Sequence, residues 1–338
     1  VYQNNSQLGS SLTVPDASNF PVYFQNASGG DTSSSIYNFG QDGSFAGTET
    51  AQGNADGNGI GDFFYSPPSG FLALCSANLP DPAIDPAQDE EPADYFNTVL
   101  YTGNGTSQSI SSLSFQPNWV WIKERSGTPS HAIFDSVRGA TKRIKSDSTD
   151  AELTQSTGLT SFDSNGFSLG SNTAVNASSD TYVAWNWLAG GSAVSNSNGS
   201  LTSSVSANTK AGFSIITYTG TGSNATVGHG LNSTPEFLII KGRDTSYNWV
   251  VWVDGFSTTQ RLLLDTTGAT STGNWNTLPT SSVFGLGSHL NINNSGSEFV
   301  CYAFHSVDGY SKVGSYTGNG SSSDGVFVQT GFRPALIL

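Results

Sequence analysis

Asp56, Asn58 and Asp62 sit two and four residues apart in the glycine-rich string GNADGNGIGD. Carboxylate and amide oxygens on a pliable turn are the donors calcium prefers. The EF-hand spacing fails, since no Glu stands at its twelfth position, so the loop reads first as a Gly/Asn hairpin turn, with calcium as the alternative. No other cofactor is implied. Acyl transfer would need a nucleophile, a histidine and an orienting acid, often announced by G-x-S-x-G on a strand-to-helix turn; the string occurs once, as GFSLG at Gly166–Gly170, inside an apolar run that reads as a strand. His131, His229, His289 and His305 lack partners by spacing and are expected to be structural or surface groups. Asp135 and Asp147 are the carboxylates that could face each other for glycan hydrolysis; a turn or ion-pair role with Arg138 or Arg143 is the simpler expectation. Cys/His zinc spacing and a P-loop are both lacking. The chain is therefore not expected to be an enzyme. Two aromatics in polar, loop-like text, Tyr247 and Trp275, are the candidates for stacking on a sugar or on a neighbouring subunit. Trp119, Trp121, Trp185 and Trp187 lie in apolar runs and read as core. Cys75 and Cys301 fall in apolar runs of different domains and are expected to be buried thiols, not a disulfide.

The elements that hold these residues are read from composition. Of 338 residues, 39 are Gly, only 11% are charged and 12% are aromatic. Short strands joined by polar turns fit this mixture better than helices. A formal net charge of -14 repels a phosphate backbone, so nucleic acid is not an expected partner. No run of about 18 apolar residues is present, so membrane insertion is not expected. With no Met at all, residue 1 is not an initiator, and the chain reads as an internal stretch of something longer.

Self-similarity organises the rest. YTGNG at Tyr101 returns as YTGTG at Tyr218 and as YTGNG at Tyr316. QPNWVWIKER around Pro117 aligns with TPEFLIIKGR around Pro235, GFSLGS with FGLGS, and TYVAWNW with EFVCYAF, all 117 or 118 residues apart. Lys123 and Lys241, Arg125 and Arg243, Arg143 and Arg261, and Asp147 and Asp265 keep the register. WVWIK puts Trp119 and Trp121 on one face and Val120 and Ile122 on the other. The expected organisation is a β region over 1–80, a stiff acidic, proline-rich linker over 81–94, a sandwich repeat over 95–190, a flexible Gly/Ser/Asn-rich linker over 191–211, a second repeat over 212–306 and the start of a third over 307–338. Gly325–Leu338 is expected to present an apolar edge and to drive self-association.

The text NFGQDG followed by FFYSPPSGFLALCSANLP resembles the closing strands of the SPRY, concanavalin-like sandwich of large structural proteins in marine cyanophages and pelagiphages. WVWIKERSG…HAIFDSVRGATK, through SFDSNGFSLGS to YVAWNWLAGG, resembles the repeat that follows it there. The resemblance implies an all-β fold of tandem antiparallel sandwiches: part of a SPRY-like domain, then jelly-roll-like or Ig-like repeats. It also implies a non-enzymatic virion appendage, a tail fibre or related structural protein, on the extracellular surface of the particle and concerned with host attachment. Expected partners are further copies of the chain, trimers being common in the class, other virion proteins and host surface polysaccharide. A carbohydrate-binding module is the alternative reading, and a glycan depolymerase a less favoured one. The first half of the SPRY-like sandwich is missing from this sequence.

Overall fold

The computed structural model describes residues 2–3, 6–7, 37–79, 81–273 and 275–338. The chain divides into two compact units, Val1–Asp81 and Pro82–Leu338. In the first unit β1 (Tyr2–Gln3) pairs with β2 (Ser6–Gln7), and an antiparallel bridge joins Asn54 to Phe63. Much of the β region expected over 1–80, including FPVYFQNAS, lies outside the described residues. Phe71–Cys75 belongs to no ladder and bends at Leu74 and Cys75; Leu74 N–H donates to the Phe39 carbonyl and Ala73 N–H to the Asp56 carboxylate. Cys75 is exposed there, contrary to expectation, in a run that pairs with no strand among the described residues; Cys301 is fully buried in a strand, and both thiols are free.

In the second unit, residues 82–94 fold into 3-10 turns at Pro86–Gln88 and Pro92–Asp94, with Ile84 buried and Glu90 paired to Lys210 at 2.5 Å. Repeat 1 contains β3 (Phe96–Thr102), β4 (Gln108–Ile110), β5 (Trp119–Glu124), β6 (Ala132–Asp135), β7 (Lys142–Arg143), β8 (Leu153–Thr154), β9 (Leu159–Asp163), β10 (Gly166–Leu169), the one-turn α1 (Thr173–Asn176) and β11 (Thr181–Trp187). Its sheets run β3-β11-β5-β6 and β4-β10-β9, with β7 paired to β8. Between the two larger sheets lies a core of Val120, Ile122, Phe134, Phe167, Val175 and Tyr182.

Residues 191–211 are not a flexible linker. They form β12 (Val194–Asn196) and β13 (Ser203–Asn208), a hairpin that pairs with the first strand of repeat 2. Serine text concealed the strand: Val205 enters the core, while the Ser203 and Ser206 hydroxyls donate to the Gly228 and Gly191 carbonyls at 2.9 and 2.7 Å. Repeat 2 follows with β14 (Phe213–Thr219), β15 (Ala225–Gly228), β16 (Phe237–Gly242), β17 (Val250–Val253), β18 (Gln260–Leu263), β19 (Ser271–Thr272), β20 (Val283–Leu286), α2 (Leu290–Asn293) and β21 (Glu298–Phe304). The hairpin and this repeat make an eight-stranded sheet, β12-β13-β14-β21-β16-β17-β18-β19, opposed by β15-β20. The all-β expectation holds, with antiparallel sheets throughout both repeats.

The YTG motif is an architectural corner, built the same way twice. Tyr101 Oη donates to the Val175 carbonyl at 2.6 Å, and Tyr218 Oη to the Ile292 carbonyl at 2.7 Å. Each ring stacks on its neighbour in the last strand, Tyr182 at 5.0 Å or Phe299 at 5.3 Å. Buried Asn176 and Asn293 hold the loop after the motif, each accepting one backbone N–H and donating to two carbonyls. A Cβ on Gly103 would lie 2.1 Å from the Ala177 carbonyl oxygen, and one on Gly220 2.3 Å from that of Asn294, so only glycine fits. Tyr316, by contrast, is 70% exposed, and residues 312–338 hold no strand of two residues or more. In the finished copies the first and third strands meet only through the last, as in β14-β21-β16, and this tail carries no counterpart of β21.

Candidate functional site: the seam between the repeats

Both faces of WVWIK are apolar, and the structure puts a different core on each. Val120 and Ile122 face the inside of repeat 1; Trp119 and Trp121 join Trp187, Phe213, Ile215, Ile239, Trp249, Val300 and Tyr302 in a core that the two repeats share. The repeats are therefore packed back to back, not strung as modules that each close only a private centre. Trp119 is 1% exposed and stacks at 4.5 Å on Tyr302 and 5.5 Å on Phe213. Burying one such ring contributes on the order of 2–3 kcal/mol, and each aromatic pair adds about 1 kcal/mol.

A charged cluster lies along this core. Tight bonding around β6 leaves Asp135 and Arg138 with no side-chain exposure, paired at 2.5 Å. Asp135 also accepts the Tyr302 hydroxyl of repeat 2 at 2.7 Å and the backbone N–H groups of Val137 and Arg138. Arg138 reaches Glu152 at 3.0 Å, and Glu152 in turn takes two bonds from Arg243 of repeat 2, at 3.0 and 3.1 Å. Arg243 closes the chain on Glu298 at 3.1 Å. Burial opposes the Arg138 charge, yet the Asp135, Tyr302 and Glu152 oxygens hold its pKa above the ordinary value. Burial likewise works against ionised Glu152, but the two guanidinium groups hold its carboxyl below the usual range. Burial pushes the Tyr302 hydroxyl well up, keeping it a neutral donor.

Residues 145–152 of repeat 1 complete the joint. The Lys145 carbonyl accepts Trp249 Nε1 at 2.7 Å, the Thr149 carbonyl accepts Lys241 Nζ at 2.9 Å, and Glu152 N–H donates to the Arg243 carbonyl at 2.7 Å. Lys241 has no exposed surface, and burial lowers its pKa to about 8 despite Asp265 and Asp150. In repeat 1 the register-matched Lys123 is only half-buried and bonds locally to the Glu124 and Gly127 carbonyls. The charged groups along the seam are engaged with one another and with backbone carbonyls, while Trp119 Nε1 is buried without a partner; the arrangement clamps two bodies together.

The candidate residues fall elsewhere and are not brought together. Trp275 is 6% exposed within the core of repeat 2, its Nε1 donating to the Gln260 carbonyl at 2.9 Å, so it offers no stacking face. Its polar neighbours in sequence gave no sign of that burial. Tyr247 is half-buried beside Gly242, and its carbonyl accepts Lys241 Nζ at 2.6 Å. Asp135 is buried and Asp147 exposed, so they do not form a facing pair; the expected Asp135–Arg138 ion pair is present.

Asp56 turns its carboxylate to N–H donors: Asn58 and Ile60 at 2.9 Å on one oxygen, Ala73 at 2.8 Å and Asn78 Nδ2 at 2.7 Å on the other. Those donors, Ala73 N–H foremost, take its pKa down to about 2. Asn58 donates its amide to the same Asn78, and Asp62 accepts Gly43 N–H, so Asp56 and Asn58 brace one turn while Asp62 serves another. Among the described residues no three His, Cys, Asp or Glu side chains gather as a metal cage. The histidines do local work: His131 accepts Trp121 Nε1, His229 and His289 accept backbone N–H groups, and His305 bonds the Ser306 carbonyl.

A shallow polar hollow of about 340 Å³ opens over Ser195, Ser204, Thr217, Arg243 and Glu298. Tyr218 borders it, but that ring is spent on the core of repeat 2.

The family described as Domain of unknown function (DUF7483) matches residues 91–338, well over half of the sequence. The chain belongs to this family. The matched span takes in both repeats, the hairpin between them and the Tyr316 copy, so the family domain is the clamped pair with its continuation, not one sandwich. Neither a curated protein nor a solved structure matches the chain.

Proposed function

We propose that this chain is a non-enzymatic part of a virion appendage, a tail fibre or related fibre of a marine bacteriophage, exposed outside the particle and contributing to host attachment. The observation that carries the reading is where the charged and aromatic side chains go: Trp119, Asp135, Arg138, Glu152, Lys241 and Tyr302 are consumed in bracing one repeat against the next. A fibre must carry load between modules, and a joint of buried rings and paired charges resists bending where a flexible linker would not. The resemblance of WVWIKERSG…HAIFDSVRGATK to repeats of marine phage structural proteins supports the particle assignment.

Gold-labelled antibodies raised against residues 95–306 test it. Label on the appendages of intact particles is the expected result; particles left bare while host material is decorated would overturn it. Release of reducing sugars from host polysaccharide by the purified chain would favour a depolymerase instead.

A further inference from the structure

Repeat 2 shows what the outer side of a module's first strand accepts: β13 pairs with β14 through Ser204 and Thr217, Ser206 and Ile215, and Asn208 and Phe213. The matching strand of repeat 1, β3, pairs with β11 alone among the described residues. The segment before it turns at Pro86–Gln88 and Pro92–Asp94 and supplies no strand. Leu188 N–H to the Tyr95 carbonyl and Gly103 N–H to the Asp180 carbonyl fix which backbone groups face β11. By the alternation of an antiparallel ladder, those of Phe96, Thr98, Leu100 and Thr102 face outward. This seven-residue edge, FNTVLYT, carries no charge and no proline, the usual guards of an edge strand. Leu100 is 61% exposed on it. The Thr98 hydroxyl at its middle is buried without a partner.

We propose that β3 is a self-docking edge, at which a second copy of this chain adds its own β3 in antiparallel register about Thr98. The strand is complementary to itself. A twofold axis at Thr98 sets Phe96 opposite Leu100 of the second copy, and Thr98 opposite Thr98, where a turn about χ1 brings the orphan hydroxyl out to a partner. The same axis sends the acidic segments 81–94 of the two copies to opposite ends of the joined sheet, so their like charges do not meet. The product is one continuous sheet across a closed, isologous dimer.

Sedimentation of the full chain, with Leu100→Lys beside it, is the first arm. The expected result is a wild-type dimer and a Leu100→Lys monomer that keeps the wild-type far-ultraviolet spectrum and a cooperative melt. The second arm fixes the register in a Cys75→Ser background. Opposed residues of a hydrogen-bonded pair lie within disulfide reach, so Thr98→Cys should cross-link under air at least about tenfold faster than Thr102→Cys. A monomeric wild type, a trimer, a dimer indifferent to Leu100→Lys, equal cross-linking of the two cysteine variants, or a dimer lost only on removal of residues 312–338 would each overturn the proposal.

Discussion

In repeat 2 the strand β14 is covered on its outer side by a hairpin drawn from the segment before it, whereas in repeat 1 the strand β3 has no second strand partner among the described residues and the segment before it forms 3-10 turns. Yet the corners of the two repeats match bond for bond: Tyr101 to Val175 and Tyr218 to Ile292, with a buried asparagine holding each loop. The inner cores match as well. What differs lies at the surfaces through which a module meets something else. Asp135 and Arg138 of repeat 1 have no charged counterparts in register, since Val253 and Phe256 stand there in repeat 2. Lys241 and Arg243 reach across the seam, while Lys123 bonds to its own loop. After duplication the interior was kept and the exterior was fitted to neighbours, which is where a chain of modules acquires direction.

The sharpest way to break this contrast is to cut the shared core. Trp119→Ala should cost about 3–5 kcal/mol and split one calorimetric unfolding transition of residues 82–338 into two, because it removes the ring that both sheets hold. A truncation of Val120, which faces only the core of repeat 1, should lower stability without that split. If Trp119→Ala left a single, merely shifted transition, the seam would not be what couples the repeats.

The buried lysine gives the next largest effect. With a folded pKa of about 8 against an ordinary value of 10.5, Lys241 releases its proton in the folded state while the unfolded chain still holds one. The unfolded state therefore binds more protons between these pH values, and stability contributed at this position rises as pH rises through that window. The whole interval is worth about 3 kcal/mol. Urea titrations at pH 7 and pH 10 read it as the difference between the chain and Lys241→Met: the wild type should gain on the variant as the solution is made alkaline. No change in that difference would place the ammonium group in a better-solvated setting than the seam provides.

The smallest effect tests the likeness of the corners. Gly103→Ala and Gly220→Ala each force a methyl group onto a carbonyl oxygen, and each should cost about 1–3 kcal/mol. Similar losses, measured by denaturant midpoint, would confirm one corner used twice; a large loss in one repeat alone would show that the match is only in outline.

Much of the inner fold was legible. The recurring Tyr-Thr-Gly, the alternation in WVWIK and the run GFSLG named the strands, and Asp135 with Arg138 was legible as an ion pair because they stand three positions apart near a strand end. The hairpin over 191–211 was not, since its serines read as solvent-loving until carbonyl partners at Gly191 and Gly228 accept their hydroxyls. Glu152 gave no signal at all: its partners Arg138 and Arg243 lie on different repeats, and neither distance is encoded by a local period.

By itself, then, the sequence determined what repeats along one strand or one module: strand alternation, the glycine that lets a loop approach a carbonyl, and the tyrosine that reaches a short helix. These follow from backbone geometry within short reach, and a duplicated string must build them twice. Only the tertiary structure decided which core each apolar face entered, whether Trp275 lay at the surface or in the core, and which edge was left bare. Those outcomes depend on residues more than a hundred positions apart arriving on the same side of a sheet, and burial is a property of that meeting, not of either string alone.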